Sequence, residues 1–204
     1  MGIDETILGR VANFGFTHTV HKDFYESFRR DHIKSKKWLV YEILKYTTGD
    51  FNKVAVLGSW NGILLKELLE YKRNVTHWDF YDISSEVHRD RDLYYECNAL
   101  PKNYTSITGD TTELFVHEDV HKQYDLIINP SCEHMDDIKA VIGPLYALTS
   151  NDYEGIKGHS NCITKHEELA VKNGINTIEY EGSLKLANYT RFCTIGRVKE
   201  ELHE

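Results

Sequence analysis

KVAVLGSWNGILL, residues 53–65, is the stretch whose reading decides the fold. An apolar run, Val54 to Leu57, stops at Gly58 and turns through Ser59, Trp60, Asn61 and Gly62. It then gives way to apolar residues at helical spacing: Ile63, Leu64, Leu65, Leu68 and Leu69. The pattern predicts a strand, a glycine-bearing turn and a helix. Glycine permits a tight turn and close backbone approach, and the free N–H groups of a helix's first turn attract polar or anionic groups. A single Gly-x-x-x-Gly after a strand is also a common β-to-α connection, so the order of the flanking segments carries the argument.

Upstream, residues 1–20 read as irregular and aromatic-rich. From His21 to Tyr46 apolar residues recur at helical spacing (Phe24, Phe28, Trp38, Tyr41, Ile43, Leu44), which predicts one or two helices with a break near Asp31–Ser35. Lys34, Lys36 and Lys37, with Arg29 and Arg30, read as a solvated face of that segment. Downstream, strands are predicted over 75–83, 104–108, 124–129, 145–149, 176–180 and 189–198. Helices fall over 63–72, 84–95, 138–142 and 166–172, and a Gly-, Asn- and Asp-rich loop spans 150–161. Strands separated by helices, with two successive strands at the end, predict a mostly parallel sheet with one antiparallel member at or near an edge. The chain divides into a helical lead-in (1–50), an α/β domain (51–198) and a short tail (199–204).

Composition narrows the function. The 204 residues are 41% hydrophobic and 27% charged, which reads as globular rather than disordered. The net charge of −8 argues against a surface that wraps nucleic acid by neutralising phosphates. No apolar run approaches a membrane span, and MGIDETILGR has no signal-peptide core. Gly2 and Thr6 fit an N-myristoylation pattern, but no basic patch follows to support a single acyl chain. Cys97, Cys132, Cys162 and Cys193 form no close pair, so reduced thiols in a cytoplasmic protein are expected. The eleven histidines form no metal signature, and no metal is expected.

In a doubly wound sheet, ligands collect at the carboxyl ends of the strands. Four such ends carry polar residues: Gly58–Gly62, Asp82, Asp110 and Asn129. Asp82 lies 20 positions beyond Gly62, placed to accept both hydroxyls of a ribose. A carboxylate at the next strand end can accept from an adenine amino group. In this arrangement residues 35–198 resemble the class I S-adenosylmethionine-dependent methyltransferases. The resemblance implies a Rossmann-like, doubly wound, mostly parallel seven-stranded sheet with one antiparallel strand near the edge. It also implies S-adenosyl-L-methionine as cofactor. Gly58, Ser59, Trp60, Asn61 and Gly62 would form the cofactor loop, Asp82 and Ile83 the ribose-side end of the second strand, Asp110 and Thr111 the adenine side, and Asn129 the end of the fourth strand. More narrowly, GSWNG, NPSCEHM, TSND, GHSNC and YTRFCTIG are similar to methyltransferase-like proteins encoded by tailed phages. Two positions depart from the family pattern. Val56 stands where an acidic residue is common, and Trp60 replaces the loop's middle glycine.

Methyl transfer from a sulfonium asks mainly for alignment in a dry pocket. Glu133 and His134, after the fourth strand, are the candidates to take a proton from a hydroxyl or amine nucleophile, or alternatively to cap or orient the following helix. Cys132, His159 and Asn161 are the candidate substrate contacts. Asn129-Pro130-Ser131-Cys132 lacks the second proline and aromatic of nucleobase amino-methyltransferases, and Ser131 separates Cys132 from the proline that a pyrimidine C5 methyltransferase would place beside it. A buried thiol is therefore the preferred reading of Cys132. Arg191 either pairs a substrate carboxylate or an internal acid, the latter preferred. The expected activity is methyl transfer to a small molecule. The alternatives are a lyase or hydrolase of the same cofactor, or a binding protein on the same fold. A nicotinamide-dependent dehydrogenase ranks last, since the loop is not GxGxxG.

Overall fold

The structure, a computed structural model, describes residues 3–200. Three helices lead in: α1 (Ile3–Thr17), α2 (Lys22–Glu26) and α3 (Arg30–Tyr46). There follow β1 (Phe51–Leu57), α4 (Ile63–Glu70), β2 (Val75–Asp82), α5 (Ser85–Cys97) and β3 (Tyr104–Thr108). After the short helices α6 (Thr111–Leu114) and α7 (Glu118–His121) come β4 (Leu126–Asn129) and a 3-10 turn at Cys132–His134. The chain continues through β5 (Leu145–Asn151), α8 (Glu167–Asn173), β6 (Thr177–Lys185) and β7 (Thr190–Arg197).

The seven strands form one sheet in the order β3-β2-β1-β4-β5-β7-β6. The first five are parallel, and β7 runs antiparallel to both β5 and β6. Side chains alternate across a strand, so a strand buried on both sides reads as a continuous apolar run. Val54 and Val56 of β1 point into a core closed by the lead-in helices, α4 and α5 (Ile7, Phe14, Leu39, Ile43, Leu64, Tyr94). Ala55 and Leu57 point into a second core with Phe115, Tyr124, Tyr146 and Leu169. The lead-in thus shares the main core. The strand order reverses beside β1, and the ends of β1 and β4 flank the crevice there.

Several local expectations change. Residues 3–17 are helical, because Ile7, Val11 and Phe14 fall on one helical face and are buried. The break in the lead-in comes at 27–29, where buried Ser27 Oγ donates to Phe24 O. Residues 138–142 are not helical, since their N–H groups find partners elsewhere. Ile138 N donates to Asn173 Oδ1 (3.1 Å), Ala140 N to Asn173 O (2.7 Å) and Val141 N to Tyr146 Oη (2.9 Å). The last hairpin is longer than its sequence pattern suggests, with β6 reaching Lys185. Gly2, part of the acylation pattern, lies outside the described residues, and Thr6 lies on α1. No described helix is long and apolar enough to cross a membrane.

Candidate functional site

The loop after β1 is tied to β2 and to the N-terminal helices. Ser59 N donates to Tyr81 O (2.9 Å), and Gly62 N to Ser59 O (2.9 Å). Gly62 has φ 64°, and a Cβ there would lie 2.3 Å from the Phe80 ring, so the helix start and the core both require glycine. Trp60 also has positive φ (48°). Its N–H donates to Asp82 Oδ2 at 2.8 Å, while Ser84 N donates to Asp82 Oδ1 at 3.0 Å. Asp82 is buried, and desolvation raises its pKa against the pull of these two N–H groups. Each oxygen keeps a lone pair that these bonds do not use.

Asn61 does not face the cleft. Its Oδ1 accepts from Ile63 N (3.2 Å), and its Nδ2 donates to Ser27 Oγ and Phe24 O. It caps α4 and fastens the loop to α2.

Asp82, Ile83, Asp110, Thr111, Gly58, Trp60, Ser131 and His134 line one open cleft of about 420 Å³, joined by Met135, Asp136 and Ser160. Ile83 is 76% exposed at its lip. Asp110 Oδ1 accepts from Thr112 N (2.8 Å), capping α6. Buried Thr111 donates to Met135 Sδ (3.4 Å). Among the described residues, three carboxylates and no lysine or arginine line this cleft.

Beyond β4 the predicted residues separate. Asn129 is buried, its Oδ1 accepting from Ser131 N (3.1 Å) and its Nδ2 donating to Met135 Sδ (3.1 Å). Cys132 is buried too, its thiol raised well above the ordinary value by desolvation. Glu133 is locked: Arg191 Nη1 donates to its two oxygens (2.9 and 3.2 Å), and Asn151 Nδ2 donates to Oε1 (2.7 Å). The preferred reading of Arg191, an internal ion pair, therefore matches its contacts. His134 stands at the surface of the cleft, with Nδ1 hydrogen-bonded to Gly158 O (3.2 Å) and its ring edge-on to His159 (centroids 4.5 Å apart). Desolvation lowers its pKa. His159 is held through Nδ1 by Tyr153 O (2.6 Å). Asn161 faces away from the cleft, donating to Met135 O (3.1 Å) and Asp137 Oδ1 (2.8 Å) and accepting from Lys172 Nζ (2.7 Å).

The lead-in supplies His32 and Lys36 to the wall beside Trp60. Trp60 meets the His32 ring (centroids 4.9 Å apart) and the Lys36 ammonium (5.5 Å from the indole centroid). Lys34 and Lys37 are exposed, as a solvated face requires, but Lys36 is buried. The signal for this was present: Lys36 precedes Leu39, Val40 and Ile43 at helical spacing, on the stripe that faces the core.

No family model matches the sequence, and no curated protein matches it. Solved structures do match. The fold is that of the class I methyltransferases, with the sheet order and the antiparallel seventh strand described above. One similar structure holds the Haloferax volcanii Trm112 methyltransferase activator and a methyltransferase (13% identity, 91% of this chain and 100% of that one, TM-score 0.64). Another is the magnesium protoporphyrin IX methyltransferase of Synechocystis with bound S-adenosylhomocysteine (14% identity, 95% of each chain, TM-score 0.61). A third is a sarcosine dimethylglycine methyltransferase from Galdieria sulphuraria (15% identity, 83% of this chain and 87% of that one, TM-score 0.58).

Proposed function

We propose that the protein is an S-adenosylmethionine-dependent methyltransferase acting on a small-molecule acceptor. One observation carries the reading. The cleft at the sheet's switch point is lined by Asp82, Asp110 and Asp136 without a lysine or arginine. Such a wall opposes the pyrophosphate of a dinucleotide and favours an uncharged nucleoside joined to a cation. S-adenosylmethionine is such a ligand.

The residues present fit it. Asp82 would hold the ribose with its unused lone pairs, and Asp110 would meet the adenine amino group. Ile83 offers exposed apolar surface for the ring. Gly58 keeps the loop close to Met135, whose Cε would lie 2.7 Å from a Cβ at that position. When bound, this cofactor supplies an electrophilic methyl group on a sulfonium.

The chain's own contribution is to hold, shield and deprotonate. His134 donates through Nδ1–H to Gly158 O, which leaves its Nε2 lone pair to take a proton from the acceptor. Burial lowers its pKa, which favours the neutral form that can accept a proton. Glu133, paired with Arg191, braces the turn that presents His134. The same acidic cleft and the overall charge of −8 favour a small acceptor over a nucleic acid.

Titration calorimetry with S-adenosylmethionine, S-adenosylhomocysteine and NAD tests the reading. Binding of the first two without the third is expected, and binding of NAD alone overturns it. Incubation with S-adenosylmethionine alone should then leave the cofactor intact. Rapid release of homoserine lactone or methylthioadenosine would instead assign a lyase or hydrolase.

A further inference from the structure

A second, smaller cavity lies behind the indole of Trp60. It measures about 30 Å³ and is lined by His32 and Lys36 of α3, by the loop after β1, and by Arg191 of β7. It shares Gly58, Trp60, Ser131 and His134 with the larger cleft. A water molecule needs roughly 10–15 Å³ measured this way, so the cavity has room for the few atoms of a carboxylate.

We propose that this cavity is a carboxylate-binding subsite, with Lys36 Nζ as its charge and Arg191 as its second donor. Lys36 is 7% exposed, and its ammonium makes a single hydrogen bond, to Ser27 O (3.1 Å). Among the described residues no carboxylate pairs with it. The face of Trp60 at 5.5 Å offers a cation–π contact, a weak substitute for a counter-ion. A buried, unpaired ammonium is costly, and proteins retain few of them without a partner.

The surroundings sharpen the preference for an anion. His32 is held to about 3 by burial and by Lys36 and Arg191 nearby, so it stays neutral. Burial lowers the pKa of His134 too, which disfavours its charged form. Among the described residues Glu133 is the one acid on the wall, and its two oxygens accept from Arg191. Arg191 still has its Nε buried without a hydrogen-bond partner. Lys36 itself falls to about 7 through burial and the Arg191 charge, so an entering anion would restore its proton. The charge argument stands without the adenosyl reading. Whether the carboxylate belongs to the amino-acid end of the cofactor or to an acidic acceptor rests on that reading.

Acetate is the probe. Calorimetric titration at constant ionic strength, at pH 6 and pH 9, is to be run on the wild type and on Lys36→Met, which keeps an unbranched side chain one atom shorter and removes its charge. Saturable binding at pH 6 is expected, weakened at least about tenfold at pH 9 and in the variant, since one pH unit of lost protonation is a factor of ten. Proton uptake should accompany binding near pH 7, read as a dependence of the heat on buffer ionisation enthalpy. Equal acetate binding by both proteins, or none by the wild type, overturns the subsite. Repeating the titration with saturating S-adenosylhomocysteine identifies the source. Acetate binding that persists assigns the carboxylate to the acceptor. Competition, with weaker S-adenosylhomocysteine binding by the variant but unchanged 5′-methylthioadenosine binding, assigns it to the cofactor. If no adenosyl compound binds, the proposed function falls while the acetate result still decides the subsite.

Discussion

Replacing Lys36 by methionine should change how stability depends on pH, and the size of the change follows from the structure. In the folded protein burial brings the ammonium to about 7, while the unfolded chain keeps the ordinary 10.5. Between these values the unfolded state binds more protons, so wild-type stability rises with pH through that window. At about 1.4 kcal/mol per pH unit, the buried lysine costs about 5 kcal/mol at pH 6 and about 2 kcal/mol at pH 9. Lys36→Met removes this cost and gives up one hydrogen bond to Ser27 O, worth about 1 kcal/mol. The variant should be the more stable protein at pH 6. Its advantage should shrink by about 3 kcal/mol between pH 6 and pH 9. Urea unfolding of both proteins at four pH values measures this, and the titrating groups that do not feel the Lys36 charge cancel in the difference. Parallel stability profiles, within about 1 kcal/mol across that range, would refute the claim that Lys36 is buried without a counter-charge.

Asp82→Ala should weaken S-adenosylhomocysteine binding at least about tenfold by calorimetry, because the proposed ribose contacts and the anchor for Trp60 N–H go together. Glu133→Gln should destabilise the fold by about 3–5 kcal/mol in urea, since it strands the buried Arg191 charge. His134→Gln should leave stability within about 0.5 kcal/mol and lower turnover of an identified acceptor by roughly 10²–10⁴-fold. Gly62→Ala forces a Cβ against Phe80 at positive φ and should cost about 2–3 kcal/mol by thermal or urea unfolding.

The parts of this molecule that sequence discloses are those with short-range causes. The β1-turn-α4 unit is legible because Val54–Leu57 is a buried run, Gly62 is needed where it stands, and Leu64, Leu65 and Leu68 continue at helical spacing. Asp82 and Asp110 are legible as strand-end carboxylates, and both line the same cleft. What sequence hides depends on partners far along the chain. Glu133 reads as a candidate general base until Arg191, 58 residues away, takes its oxygens. Asn61 reads as part of a ligand loop until Ser27, 34 residues earlier, accepts its amide. Residues 138–142 have helical composition, but Asn173 and Tyr146 take their N–H groups. Lys36 is the instructive exception. Its place on the apolar stripe of α3 was visible, and its charge disguised it as one of a solvated cluster.

Trp60 connects these observations, because it stands where the family pattern has a glycine and still adopts glycine's backbone conformation. A non-glycine residue at φ 48° costs about 1–2 kcal/mol. The bond from its N–H to the Asp82 carboxylate is charge-assisted and offsets that cost with about 1.5–3 kcal/mol. The side chain retained in this way forms the wall between cleft and cavity and covers the Lys36 ammonium. Trp60→Gly should therefore keep the loop and the Asp82 contact while admitting water to Lys36. Desolvation is the main cause of that lysine's depressed pKa, so hydrating it moves the pKa back toward 10.5. The extra rise of wild-type stability between pH 6 and pH 9 should then fade in Trp60→Gly as it does in Lys36→Met, although the lysine is still present. A pH profile in Trp60→Gly as steep as the wild type's would mean that the protein matrix, rather than the indole, keeps this charge dry.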